Sequence, residues 1–227
     1  MMAGGEFCGN ATRSIAWLSL EGMPGEVRVK ASYVEQRLRA GVNANREAFA
    51  QMPIYPDLSK IAKDSDASYI VEMEGIVHYI DFTENATKGL SRDEIKDKAA
   101  ERIKGKRLDQ YPAAGVIYAA RDEKSIRIEP IVYVRDIDTL YYETACGSGT
   151  TALGLVLALE KGESVKDIPI FQPSGMAIKV SVDFDGESFQ YAQIQGEVEE
   201  LNKGIIEIGE NAEMSQRDTM LVGEKNV

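Results

Sequence analysis

Cys146-Gly147-Ser148-Gly149-Thr150, with the run after it to Leu159, is the stretch that decides how this chain is read. Residues 150–159 carry no charge before Glu160, which predicts a helix apolar all round, buried all round and ended by Gly162. Near the amino end, Cys8-Gly9-Asn10-Ala11-Thr12 opens a second such segment over residues 11–20. There Ile15, Ala16, Trp17, Leu18 and Leu20 leave little polar face before Glu21-Gly22. A helix apolar on most sides is expected to be buried on most sides. Two such helices, each introduced by cysteine, glycine and a small polar residue, form an internal repeat. The segments after the two helices agree in kind: each begins with a strand pair, with residues 38–42 resembling 178–182, and continues with a third strand through Phe49 or Phe189.

Working outward, short Val- and Ala-rich runs with alternating charge predict strands at 27–31, 34–42 and 47–52, and residues 68–82 read as a strand pair. Ser91 followed by Glu94 is a capping box, and Ile95, Ala99 and Ile103 give the helix it opens a narrow apolar stripe, as a surface helix has. Further strands are expected at 115–120, 125–134, 140–143, 168–171, 176–184, 189–195 and 205–208. The fold class is therefore α+β, with two pseudo-symmetric lobes, each an antiparallel sheet or barrel wrapped around one central buried helix. The expected division is an N-terminal lobe at 1–66, a C-terminal lobe at 67–204 and a final strand and tail at 205–227.

The chain of 227 residues is 44% apolar and 28% charged, ordinary globular composition, with a net charge of −11. So acidic a chain lacks the basic face that nucleic acid or an anionic membrane surface needs. Its longest apolar stretch falls far short of the roughly 20 residues that span a bilayer. No cationic, apolar and cleavable leader opens it, so the expected location is the cytoplasm. Two cysteines in this length are no disulfide scaffold.

Those cysteines suggest a chemistry. A helix amino end offers unpaired N–H groups and partial positive charge, which bind carboxylates and favour thiolate over thiol. Two such ends facing each other would hold two activatable sulfurs and two sets of anion-binding amides. That suits inversion of an amino-acid α-carbon: one base removes the proton on one face while an acid supplies one on the other. The amides hold the α-carboxylate as charge builds on it. Either cysteine alone would be read as a buried small hydrophobe. Packing gives no reason for the pair to recur in matching contexts. Juxtaposed thiols could also oxidise to a disulfide in air. A cysteine hydrolase built on Cys146 and His78 would leave Cys8 and the repeat unexplained. Walker-type and Gly-x-Gly-x-x-Gly loops are absent from the sequence, as is a metal-ligand cluster of His and Cys.

The two cysteine motifs resemble the signatures of the diaminopimelate epimerase-like superfamily of cofactor-independent racemases and epimerases, and the resemblance covers nearly the whole chain. Residues 6–12, Val77-His78-Tyr79, residues 143–149 and Gln172-Pro173 are closer to its histidine racemase branch, of the staphylopine-type pathway, than to diaminopimelate epimerase itself. The resemblance implies a diaminopimelate epimerase-like fold and an isomerase needing neither pyridoxal phosphate nor another cofactor, and no metal. It implies that Cys8 and Cys146 are the acid/base pair and that Gly9, Asn10, Gly147, Ser148 and Gly149 bind substrate. His78 would orient or deprotonate a thiol, Glu143 would be the acidic partner of Cys146, and Glu6 is a weaker match. The alternatives are diaminopimelate epimerase and a non-catalytic binding homologue. Where diaminopimelate epimerases carry Asn-Pro-His and a Glu-Arg pair, this chain reads Ile76-Val77-His78 and Arg135-Asp136-Ile137. The family also has a strand-and-helix segment ahead of its first cysteine motif. With seven residues before Cys8, the chain reads as shortened at its amino end, its first helix short of strands to cover it. The expected partners are a small-molecule amino acid and a second copy in a homodimer, with no nucleic acid and no membrane.

Overall fold

The computed structural model describes residues 7–31, 34–122 and 125–200. The strand expected at 205–208 and the tail lie outside them, as does Glu6. Among the described residues the elements run α1 (Gly9–Ser19), β1 (Gly25–Val29), β2 (Leu38–Val42), β3 (Ala48–Gln51), β4 (Ile61–Ser65), β5 (Ser68–Met73), β6 (Ile76–Asp81), α2 (Arg92–Gly105), β7 (Ala113–Arg121), β8 (Ile126–Val134), β9 (Thr139–Tyr142), α3 (Gly147–Lys161), β10 (Val165–Phe171), β11 (Ala177–Phe184) and β12 (Phe189–Gly196). This is an α+β fold with one large sheet. The strands are ordered β1-β2-β3-β12-β11-β10-β8-β7-β6-β5-β4, with β9 beside β8.

The repeat is visible in that order. Each cysteine-led helix is succeeded by three strands, and the two triplets run β1-β2-β3 and then β12-β11-β10, a palindrome. The last strand of each triplet lies at its centre: β3 and β12 pair antiparallel, with Ala50 opposite Ile194 and Ala48 opposite Gly196.

The two helices are not buried alike. Side chains from β5 to β8 and from β10 to β12 close around α3, so Leu153, Leu155 and Val156 join Val71, Ile80, Ile117, Ile170, Val180 and Ile194 in one core. Truncating a leucine there, as in Leu153→Ala, costs about 2–5 kcal/mol. For α1 the expectation of burial on most sides is corrected. Only Gly9, Thr12 and Ala16 are buried, while Ile15 and Leu18 are each 50% exposed. Ala16 meets the small Ala40 and Ala50 of β2 and β3, which lets the helix lie close to one sheet layer. Among the described residues no second layer covers its other side.

Three further features differ from the sequence reading. The sheet is not wholly antiparallel: β6 pairs parallel with β7, and β8 with β10. The first arises from α2, a crossover that returns the chain to the end where it began. Its capping box is present as expected, with Ile95, Ala99 and Ile103 packed on Val77, Tyr79, Val116 and Tyr118. Secondly, β4 is an edge strand that pairs only with β5, and its mostly exposed residues carry no apolar alternation to announce it. Thirdly, the β4–β5 hairpin lies across the division expected between residues 66 and 67. No helix among the described residues is long and apolar enough to cross a membrane.

Candidate active site

Cys8 and Cys146 each cap a helix with their own sulfur. Cys8 sits at φ −124°, ψ 107° and Cys146 at φ −122°, ψ 105°, the extended backbone of an N-cap. The Cys8 Sγ accepts from the Ala11 N–H at 3.4 Å, and the Cys146 Sγ from the Gly149 N–H at 3.3 Å. One turn on, Thr12 Oγ1 donates to the Cys8 carbonyl at 2.9 Å and Thr150 Oγ1 to the Cys146 carbonyl at 2.7 Å. The repeat therefore extends to individual hydrogen bonds.

The two caps meet. Asn10 Nδ2 donates to the Ala145 carbonyl, just ahead of Cys146, at 3.2 Å. Ile194 of β12 lies beneath both helix ends: a Cβ on Gly9 would stand 2.9 Å from its Cδ1, and one on Gly147 2.8 Å. A side chain at either position would require Ile194, and at Gly9 also Met52, whose Sδ would stand 2.6 Å away, or the helix end to shift. A Cβ on Gly149 would likewise press on Ile117 Cδ1 at 2.5 Å.

The orphan amides at each end can then be accounted for. Gly149 and Ala11 spend theirs on the sulfurs, and Cys146 N–H goes to Gln172 Oε1 at 3.0 Å. Among the described residues the N–H groups of Gly9, Asn10, Gly147 and Ser148 have no acceptor, so two pairs of donors remain for an anion.

The electrostatics of the two sulfurs differ. Burial pushes the Cys146 thiol up to about 11, and the charges of Glu143 and Cys8 add to the rise. The Ser148 hydroxyl, 3.6 Å away, and the Gly149 amide oppose it. Cys146 is therefore a thiol at neutral pH. Cys8 is half-buried, with the Arg13 guanidinium near enough for their charges to interact. Arg13 Nε donates to Asn10 Oδ1 at 3.1 Å and Nη1 to the Glu197 carbonyl at 3.1 Å.

The structure thus brings together Cys8, Gly9, Asn10, Cys146, Gly147, Ser148 and Gly149, with Glu143 acting on Cys146 through its charge. Among the described residues no hydrogen bond ties His78 to this group. Wholly buried on β6, it shares the face of Ile76 and Ile80 and lies over Gly115 of β7, where a Cβ would collide with its Nδ1. Burial takes its pKa down to about 3, and among the described residues neither ring nitrogen has a hydrogen-bond partner. No group of His, Cys, Asp and Glu among the described residues is arranged to hold a metal ion. Arg13 and the two threonines were not singled out from the sequence. The threonines had a signal, since they recur at the same distance from the two cysteines, but Arg13 has none because Thr151 stands at its counterpart.

Residues 1–206 match the family described as the histidine racemase CntK N-terminal domain. The chain belongs to that family. A histidine racemase of Fusobacterium nucleatum subsp. nucleatum is 30% identical to it over 192 residues, covering 77% of this chain and 67% of its own. One from Staphylococcus aureus is 24% identical over 212 residues, covering 90% and 75%. Among solved structures, a Clostridium difficile protein assigned to phenazine biosynthesis PhzC/PhzF superposes with a TM-score of 0.55 at 15% identity, over 89% of this chain and 74% of that one. That likeness speaks for the fold alone. As a member of the histidine racemase CntK family, the chain is an isomerase of the racemase and epimerase kind.

Proposed function

We propose that this racemase inverts the α-carbon of histidine or a similar free amino acid by a two-cysteine proton transfer that needs no cofactor. The observation that carries this reading is the pair of cysteine-capped helix ends, matched in backbone angles and joined over Ile194. The α-carboxylate is held by the N–H groups of Gly9, Asn10, Gly147 and Ser148. One sulfur, as thiolate, takes the α-proton, and the electron pair left on carbon spreads into the carboxylate, where those amides stabilise it. The opposite sulfur, as thiol, gives its proton to the other face. Each turnover leaves the protonation of the two sulfurs exchanged.

In this scheme Cys146 is the proton donor of the resting enzyme, with the Glu143 charge helping to keep it protonated. Gly149 serves by turning its amide to that sulfur. His78, neutral and enclosed, takes no proton step and shapes the sheet beneath α3. The same reading keeps the diaminopimelate epimerase-like arrangement of two pseudo-symmetric lobes, one around each cysteine-led helix. It places the protein in the cytoplasm, where both thiols stay reduced.

The test is α-proton exchange in heavy water with both enantiomers of a panel of amino acids that includes histidine and diaminopimelate. The parent is expected to exchange and racemise histidine. Cys8→Ala and Cys146→Ala should each lose about 100-fold or more of that rate. Either variant racemising at the parental rate would overturn the scheme.

A further inference from the structure

The peptide of Cys146 is enclosed in a ring of hydrogen bonds that the proton-transfer scheme does not use. Its N–H donates to Gln172 Oε1 at 3.0 Å, and Gln172 Nε2 donates to Thr150 Oγ1 at 3.0 Å. Thr150 Oγ1 donates in turn to the Cys146 carbonyl at 2.7 Å, closing the ring. The second Nε2 proton goes to the Ile170 carbonyl at 3.0 Å. Each bond fixes the next. The Thr150 hydroxyl spends its proton on Cys146, so its oxygen can only accept, and Gln172 must face it with its amino group. Turning the amide over would set oxygen against oxygen at both Thr150 and Ile170 and N–H against N–H at Cys146.

Gln172 is 5% exposed and stands at the head of the β10–β11 turn. That turn also reaches the loop before Cys146, where Ser174 N–H donates to the Thr144 carbonyl at 3.0 Å. The strand-to-helix corner that carries the sulfur is therefore gripped on both sides by one hairpin. Cys8 has the equivalent threonine bond, but among the described residues no side chain holds its N–H. Gln172 also decides which amides reach an anion. With its acceptor in place the Cys146 N–H is occupied, and Gly147 and Ser148 are the donors that remain at this end.

We propose that Gln172 is a positioning residue for racemisation, holding the Cys146 peptide so that its sulfur faces the substrate α-carbon and its own N–H stays out of the carboxylate site. This rests on the two-cysteine reading. Gln172→Leu removes every bond of the side chain. Gln172→Glu keeps an acceptor for Cys146 N–H but, once ionised, can donate to neither Thr150 nor Ile170, and it sets a negative charge beside a thiol already reluctant to ionise.

For Gln172→Leu, kcat should fall about 10- to 100-fold, as when a reacting group is misplaced by about an ångström, with KM moving less than about threefold. Gln172→Glu should fold, as judged by its circular dichroism, and lose activity progressively as pH rises through the titration of its new carboxyl, which the parent does not do. Alkylation by iodoacetamide, read by peptide mass spectrometry, should change in rate at Cys146 and not at Cys8. Parental kcat per folded molecule in both variants, a change in KM alone, or equal changes at both cysteines would overturn the proposal while leaving the two-cysteine scheme standing. A Cys8→Ala or Cys146→Ala protein with parental activity, measured alongside, would instead overturn the scheme and this proposal with it.

Discussion

A methyl group at Gly147 would lie 2.8 Å from Ile194 Cδ1, so one of the two must shift. Gly147→Ala should therefore push the two cysteine corners apart. Overpacking of this kind costs about 1–3 kcal/mol, and the misplacement should lower kcat about 100-fold. Adding Ile194→Val, which withdraws the opposing methyl, should restore part of both losses. Urea denaturation and racemisation assays on the two single variants and the double variant would measure this, and strict additivity would show that the contact is not the cause. His78 gives a pH prediction. Its folded pKa of about 3 lies below the ordinary 6.5, so between those values only the unfolded chain takes up the proton. This residue therefore costs nothing above about pH 6.5 and lowers stability progressively as pH falls from there towards 3. His78→Met should flatten the acid side of the melting-temperature profile, whatever it does to the plateau. Profiles of equal slope would refute this assignment.

The crossover helix α2 offers a separate handle on stability. Ser91 Oγ accepts from Glu94 N–H at 3.3 Å, and Glu94 Oε2 accepts from Ser91 N–H at 2.7 Å. Ser91→Ala should cost about 1 kcal/mol in urea denaturation and leave kcat unchanged, since nothing in α2 touches the cysteine corners. That helix was legible in the sequence because its signals are local: a capping box and three apolar residues at helical spacing. The cysteine-led helix α3 was legible for the same reason, and its mate α1 was half legible. The Ile15 and Leu18 side chains say only that the segment is apolar, whereas what covers them depends on residues far away in the chain. β4 left no trace because an exposed edge strand buries too little to need alternation. The parallel pairing of β6 with β7 depends on how α2 crosses the sheet, and that of β8 with β10 on the path through β9 and α3, which no local pattern encodes. At the site, the caps could be read from Cys-Gly and a small residue, but Gln172 reaches Cys146 across 26 positions of sequence and has no periodic mark. The burial of His78 had no local mark, since a lone imidazole reads the same in sequence whether it is exposed or enclosed.

Across the whole molecule, the two repeats contribute one sulfur each, and contacts between the repeats help to set the gap between them. Asn10 to Ala145 and Ile194 beneath both glycines hold the corners close, and both cysteines are free thiols. A disulfide needs Cβ atoms roughly 3.5–4.5 Å apart, a modest approach for corners already in contact. Aerated protein should lose activity and regain it with a thiol reductant, in step with free-thiol titration. Loss of activity with both thiols still titratable would refute this.

The palindromic strand order has a consequence for how such a molecule arises. Like strands paired antiparallel at the centre of a sheet are what two copies of one unit form about a two-fold axis. A half-length ancestor with one cysteine, doubled by association, would already place two sulfurs on opposite sides of a bound amino acid. It could not make them different, because every change would appear on both sides at once. Gene duplication and fusion lift that constraint. Arg13 beside one sulfur with Thr151 in its counterpart, and Gln172 behind the other, are changes that only a fused chain can keep. Mirror-image substrates meet a pair of unlike sulfurs, and the tandem chain can adjust the surroundings of each sulfur one residue at a time.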